Sequence, residues 1–192
     1  PFFGELGSVN PMFLLPAALS GRAAAIGAGW AASLAMGAGQ FCTNPGIAIV
    51  AAGADADAFL DAAKAALETV PAQTMLTPGT ASSYRCGVER MIARNAVSHV
   101  LSTDSPGRSA GPNLFETSGA AWLADRALGE EVFGPLGLVV RVASTEEMLI
   151  LAGSLAGQLT ATIHMDDADL PLAQALLPIL ETKAGRVLVN GF

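Results

Sequence analysis

Gly39-Gln40-Phe41-Cys42-Thr43-Asn44-Pro45-Gly46 places a cysteine where a long helix-like segment runs out against a Pro-Gly turn. Backbone N–H groups left open at such a break, together with sparse apolar cover, favour a reactive thiol. Cysteine is also a common small core residue, so position alone leaves nucleophile and core cysteine both open. Glu5, in Gly4-Glu5-Leu6-Gly7-Ser8, is a lone carboxylate between apolar residues and flexible glycines. That setting disfavours the charged form and suits a general base, with a solvated loop acid as the plain alternative.

Other patterns imitate chemistry and read better as structure. Gly107-Arg108-Ser109-Ala110-Gly111 spells G-x-S-x-G, the nucleophile elbow of serine hydrolases, which needs a strand before the serine and a helix after it. Pro106 and Pro112 flank it, and Pro112 breaks the chain where that helix would start, so a loop is expected and a serine hydrolase using Ser109 is the alternative enzyme class. Gly27-Ala28-Gly29-Trp30-Ala31-Ala32 fits the dinucleotide fingerprint G-x-G-x-x-A, but what precedes it is helix-like rather than strand-like. Its glycines are expected to thin a helix for close packing. His99 and His164 have no neighbours at metal-ligand spacing, which argues against a metal site and for strand residues with ordinary hydrogen bonds. Cys86, among Tyr84, Arg85 and Val88 in a helical pattern, is expected to be a small buried residue.

The elements that must carry these residues alternate between helix and strand. Ala23 to Gly39 is seventeen residues without a charge, but mostly Ala and Gly, so it reads as a buried helix rather than a membrane span. A membrane or assembly module built on it is the non-catalytic alternative. Ile47 to Ala52 reads as a buried strand entered through a turn, and Asp55 to Thr69 as an amphipathic helix stopped by Pro71. Ser82 to Asn95 looks helical and Ser98 to Ser102 strand-like, and Thr103 to Pro112 is an exposed loop. Leu138 to Ala143 is a strand followed by a helix that Ser144 caps, with Glu147 reaching back to it. Leu159 to Met165, Asp166 to Leu177 and Arg186 to Asn190 complete the series as strand, helix and strand. Continuous apolar strands separated by helices indicate an α/β fold: a mostly parallel twisted sheet with helices on both faces.

Composition narrows the partners. The 192 residues carry 17 acidic and 10 basic side chains, a net charge of −7, with no basic run to grip phosphates, which argues against nucleic acid. Only 14% of residues are charged and 52% are hydrophobic, so most of the chain must be buried and disorder is excluded. Two cysteines without a disulfide pattern point to a reducing, cytoplasmic compartment. The chain begins at Pro1 with no signal-peptide pattern, and a piece of a longer protein is expected.

Glu5-Leu6-Gly7, a long Ala-rich helix, Gly39-Gln40-Phe41-Cys42 and, far downstream, Glu131-Val132-Phe133-Gly134-Pro135 follow one another in an order that resembles the NAD(P)-dependent aldehyde dehydrogenase superfamily. The similarity continues to Arg186-Val187-Leu188-Val189-Asn190-Gly191-Phe192 and so covers essentially the whole chain. The wording Phe2-Phe3-Gly4-Glu5-Leu6-Gly7-Ser8-Val9-Asn10-Pro11, with Phe41-Cys42-Thr43-Asn44-Pro45-Gly46, is similar to the branch that oxidises 2-oxoglutarate semialdehyde (2,5-dioxopentanoate).

The resemblance implies that residues 1–192 are a three-layer catalytic domain, with the cofactor-binding domain and the arm-forming tail lying outside them. It implies Cys42 as nucleophile and Glu5 as the base that activates the hydrolytic water. Glu131 then matches the residue that hydrogen-bonds the nicotinamide ribose, Phe133 the aromatic beside the nicotinamide, and Leu6 a backbone contact at the nicotinamide end. NADP or NAD is the implied cofactor, a small-molecule aldehyde the substrate, and a homo-oligomer the full-length state, with no nucleic acid, membrane or metal partner. Ser8 and Val9 depart from the usual second Gly and Lys after Glu-Leu-Gly. The presence of Glu5 favours hydrolysis over transfer to a thiol. With half of the cofactor site elsewhere, these 192 residues alone are expected to turn over little or no aldehyde.

Overall fold

The computed structural model describes residues 7–192. In chain order they form β1 (Met12–Leu14), α1 (Pro16–Ala35), β2 (Ile47–Ala51), α2 (Ala54–Glu68), β3 (Gln73–Thr74), α3 (Pro78–Ile92), β4 (Val97–Leu101) and β5 (Ser109–Ala110). Then come β6 (Asn113–Ser118), α4 (Gly119–Ala124), β7 (Leu136–Val142), α5 (Thr145–Ser154), β8 (Gln158–His164), α6 (Leu170–Glu181) and β9 (Ala184–Val189). Seven strands make one sheet in the order β4-β6-β7-β2-β1-β8-β9, parallel except for the antiparallel edge pair β4-β6. β3 and β5 form a separate antiparallel ribbon.

Side chains alternate across a strand, so each central strand feeds two cores. Met12, Leu14, Ala48, Val50 and Val139 join the core under α1 and α2. Phe13, Ile47, Ile49, Leu138 and Val140 join the core on the other face, where α4, α5 and α6 lie. The expected α/β sheet with helices on both faces is what forms. Gly27 sits inside α1 where a Cβ would come within 2.5 Å of the Phe59 carbonyl oxygen on α2, so it serves helix packing as expected, whereas Gly29 makes room for the Phe192 ring.

Several local readings change. α1 starts at Pro16, earlier than expected, and is interrupted at Arg22, whose guanidinium instead reaches Met165 O and Asp166 Oδ1 on the turn after β8. Its first N–H groups are capped from across the chain: Asp169, buried, accepts from Ala17 N and Ala18 N at 2.8 and 2.9 Å. Ser144 caps α5 by accepting from Glu147 N, but Glu147 reaches back to Ala143 N rather than to Ser144. β1 and β6 carry no sequence signal strong enough to be expected, although both lie inside the sheet. β1 is only three residues between two prolines, and β6 ends in Glu116-Thr117-Ser118, whose polarity is absorbed by an ion pair to Arg141 and a hydrogen bond to Ala96 O.

The expected loop Thr103 to Pro112 contains β5, and the chain continues from Ser109 into β6 rather than into a helix. The arrangement a nucleophile elbow requires is therefore missing at Ser109. Cys86 is exposed, not buried: α3 turns Ala81, Tyr84, Gly87 and Met91 inward, and Cys86 falls on another face. No described helix is long and apolar enough to cross a membrane.

Both histidines are strand residues as expected, His99 in β4 and His164 in β8, but their surroundings are aromatic. His99 stacks on Phe115 at 4.6 Å between ring centroids. His164 is buried against Phe192, and neither ring nitrogen makes a hydrogen bond with a described residue. Burial pushes its pKa down from 6.5 to about 4, opposed by the nearby Gly191 backbone and reinforced by the Arg22 charge. An unfolded chain therefore takes up this proton near pH 6.5 while the folded one resists until about pH 4, so acidification across that window favours unfolding. We expect the melting temperature to fall between those pH values in the wild type and to fall less in His164→Leu; parallel pH profiles for the two would refute this role.

Candidate active site

Three segments far apart in sequence meet at the amino ends of neighbouring parallel strands. Residues 7–11 lead into β1, residues 40–46 into β2 and residues 130–135 into β7, and these strands lie side by side in the order β7-β2-β1. Open parallel sheets usually bind ligands beyond the carboxyl ends of their strands, so this edge is the less common one.

Asn10 is the hub. It is buried, holds a left-handed φ of 44°, and uses its whole amide. Nδ2 donates to Cys42 O at 2.9 Å and Asn44 O at 2.8 Å. Oδ1 accepts from Ser8 Oγ at 2.8 Å, Thr160 N at 3.1 Å and Thr160 Oγ1 at 3.0 Å. Gln158 Oε1 accepts from Val9 N and Asn10 N, which ties the same lead-in to β8. Ser8, where the family pattern has a second glycine, is thus part of the scaffold: its hydroxyl also accepts from Leu159 N.

The cysteine loop is fastened from the other side by α1. Trp30 Nε1 donates to Pro45 O at 2.6 Å, and Asn44 Nδ2 donates to Leu34 O at 2.8 Å. Gln73 bridges the end of the helix, donating to Ala35 O and accepting from Ala38 N. Between these anchors Phe41 to Asn44 form a turn, with Asn44 N donating to Phe41 O at 3.0 Å, and Cys42 stands exposed on it. Gly39 touches the third segment so closely that a Cβ there would fall 2.2 Å from the Gly134 carbonyl carbon.

That third segment is held by Tyr84. Its ring covers Gly134, and its buried hydroxyl lies 2.7 Å from Gly111 O and 3.2 Å from Pro135 O while accepting from Asn113 Nδ2 at 2.9 Å. Burial raises the phenol pKa, against the Asn113 hydrogen bond, so it stays a donor. Glu131 lies beside the first segment, with Oε2 3.3 Å from where a Cβ on Gly7 would stand. Phe133 is partly exposed on the same strip. The result is a cleft lined by residues that include Ser8, Gly39, Asn44, Glu131 and Phe133.

Of the expected site residues, the structure brings the loop of Cys42 against the strip that carries Glu131 and Phe133. Glu5 and Leu6 lie outside the described residues, and Gly7, the next described residue after them, borders Glu131. Among the described residues no group of three or more His, Cys, Asp or Glu is placed to hold a metal ion. Asn10, Gln158 and Tyr84 were not legible as site-builders. The Asn10-Pro11 dipeptide signals a turn, but its partners are distant in sequence.

Together these features define an α/β domain that offers an exposed thiol on a rigid turn beside an acid-edged cleft. Solved structures of this fold include an NAD-dependent benzaldehyde dehydrogenase from Corynebacterium glutamicum, with a TM-score of 0.76 and 22% identity over 97% of this chain and 40% of that one. A second is the glyceraldehyde-3-phosphate dehydrogenase GapN from Methanocaldococcus jannaschii complexed with NADP, with the same TM-score, identity and coverage. The sequence model of the Aldehyde dehydrogenase family matches residues 1–192, and the chain belongs to that family. Among curated relatives, alpha-ketoglutaric semialdehyde dehydrogenase 2 of Azospirillum brasilense is 44% identical and alpha-ketoglutaric semialdehyde dehydrogenase of Acinetobacter baylyi is 40% identical, each across 100% of this chain. The chain spans 37% of the length of each of them.

Proposed function

We propose that residues 1–192 are the catalytic domain of an NAD(P)-dependent aldehyde dehydrogenase that oxidises a semialdehyde such as 2,5-dioxopentanoate to its carboxylic acid. The observation that carries this reading is the convergence of the segments containing Gly7, Cys42 and Glu131 through the Asn10 hydrogen bonds and the Gly39–Gly134 contact. The kinship to two alpha-ketoglutaric semialdehyde dehydrogenases supports the substrate class.

The cleft suits one end of the cofactor. Its carboxylates, Glu130 and Glu131, are the only charged side chains among the described lining residues, which fits hydroxyl donors and a cationic ring. Glu131 would accept from the nicotinamide ribose, Phe133 would flank the ring and Leu6 would contact it through its backbone. When bound, NAD or NADP supplies the acceptor for the hydride. The lining of the cleft supplies contacts for the nicotinamide end alone and leaves the rest of a dinucleotide to residues outside this domain.

In this reading the Cys42 thiolate attacks the aldehyde carbon; the C–S bond forms and the carbonyl π pair moves to oxygen, giving a thiohemiacetal. The Cys42 N–H, which bonds to no described residue, stabilises that oxyanion. As the C–O double bond re-forms, the aldehyde hydrogen departs as hydride and a thioester remains on Cys42. Glu5 removes a proton from water, the hydroxide adds to the thioester, and the C–S bond breaks to release the acid and restore the thiolate. The full-length protein is read as a cytoplasmic homo-oligomer.

A Glu5→Gln variant of the full-length enzyme separates the two halves of this scheme. It should release one equivalent of reduced cofactor in a burst, retain a thioester mass on the peptide bearing Cys42, and turn over at least about 100-fold more slowly. Steady turnover at the wild-type rate, with no acyl mass, would remove Glu5 from the mechanism.

A further inference from the structure

We propose that Asn10 is the positioning residue of the nucleophile turn: it locks the central peptide, Cys42–Thr43, in one of its two possible orientations. This rests on Cys42 being the nucleophile. In a four-residue turn such as Phe41 to Asn44, the peptide between the second and third residues can rotate by about 180°, the difference between type I and type II turns. What bonds the central carbonyl therefore decides which way the central N–H faces. Here Cys42 O is held at 2.9 Å by the Asn10 amide, on the buried side. A trans peptide is planar with C=O and N–H opposed, so Thr43 N–H is turned away from Asn10, toward the exposed side on which Cys42 and Thr43 stand. Phe41 O points across the turn to Asn44 N, so Cys42 N–H points out of the turn. Neither N–H makes a hydrogen bond to a described residue. Two donors are thus aimed out of the turn that carries the thiol.

Asparagine suits this position for three reasons that act together. Its amide gives both Nδ2 hydrogens to carbonyls of one turn, Cys42 O and Asn44 O. Its oxygen is oriented by three donors from Ser8 and Thr160, which fixes the sense of the amide. Asparagine also tolerates the left-handed backbone, here at φ 44°. An aspartate would keep the shape and the backbone preference but place a carboxylate against two carbonyl oxygens.

The test compares Asn10→Ala and Asn10→Asp with the wild type by following iodoacetamide labelling of Cys42 and Cys86 in the same molecules. Cys86 is exposed on α3 and serves as the internal reference. In the wild type Cys42 should be labelled first; if Cys86 leads instead, the nucleophile reading itself fails. With that reading intact, both variants should lower the Cys42-to-Cys86 rate ratio by at least about fivefold, with Cys86 unchanged. In the full-length enzyme kcat should fall while KM for the cofactor holds. A ratio within about twofold of wild type in folded Asn10→Ala, or an Asp variant that behaves as wild type, would overturn the proposal by showing that Asn10 only fills space. Should the Asn10 variants fail to fold, Thr160→Val removes one donor to Asn10 Oδ1 without touching the turn. Its ratio should move in the same direction by about twofold, and an unchanged ratio there overturns the proposal as well.

Discussion

Replacing Cys42 with serine should abolish aldehyde oxidation by the full-length enzyme while leaving the fold intact. A hydroxyl at the same place is a far weaker nucleophile, because it has almost no anion at neutral pH. A loss of at least about 1,000-fold in kcat is expected, read from the appearance of reduced nicotinamide. Stability should hardly change. Cys42 is exposed, and the bonds that fasten its turn run through backbone carbonyls of Cys42, Asn44 and Pro45 rather than through the thiol. Exposed substitutions of this kind stay within about 0.5 kcal/mol. Cys86→Ser, equally exposed, should leave the rate untouched and so controls for general thiol effects. Retention of a tenth of the activity by Cys42→Ser would end its assignment as nucleophile.

The part of this site that was legible in the sequence is the part written in local signals. The Pro-Gly turn after Cys42, the helix from Ala54 to Glu68 and the Ser144 cap each depend on residues within a few positions of one another, and all three occur. Two kinds of feature escaped. β1 and β6 are short or partly polar, and their place in the sheet is decided by neighbours such as β2 and β7 rather than by their own pattern. The scaffold of the nucleophile turn escaped for a related reason. Asn10 meets Cys42 across 32 residues and Thr160 across 150, so no window of sequence contains the network. The capping of α1 by Asp169 is another such case, since a carboxylate 151 residues away supplies what a local side chain usually does. Cys86 stands exposed on α3. Its helical pattern is local, but which face of the helix is covered depends on what packs against it.

Gly39→Ala should produce the largest structural effect of any single methyl group in the site. Two independent costs fall on it. The backbone has φ +64°, in the left-handed region, where a Cβ is strained by about 1 kcal/mol. The added carbon would also meet the Gly134 carbonyl carbon at 2.2 Å, its oxygen at 2.4 Å and Pro135 N at 2.5 Å. These are backbone atoms, and Tyr84 covers Gly134 from behind, so no side chain can swing aside to make room. Overpacking of this sort adds about 1–3 kcal/mol, giving a loss of about 2–4 kcal/mol in all. For a domain of this size that corresponds to a melting temperature lower by about 5–15 °C. If the fold survives, relief can come only by driving the Cys42 turn and the Glu131–Pro135 strip apart, so the surviving protein should also lose cofactor-dependent turnover. Gly157→Ala, where a Cβ meets nothing within 4 Å, is the matched control and should melt as wild type. A Gly39→Ala protein as stable and active as that control would show that the two loops need not touch for the site to work.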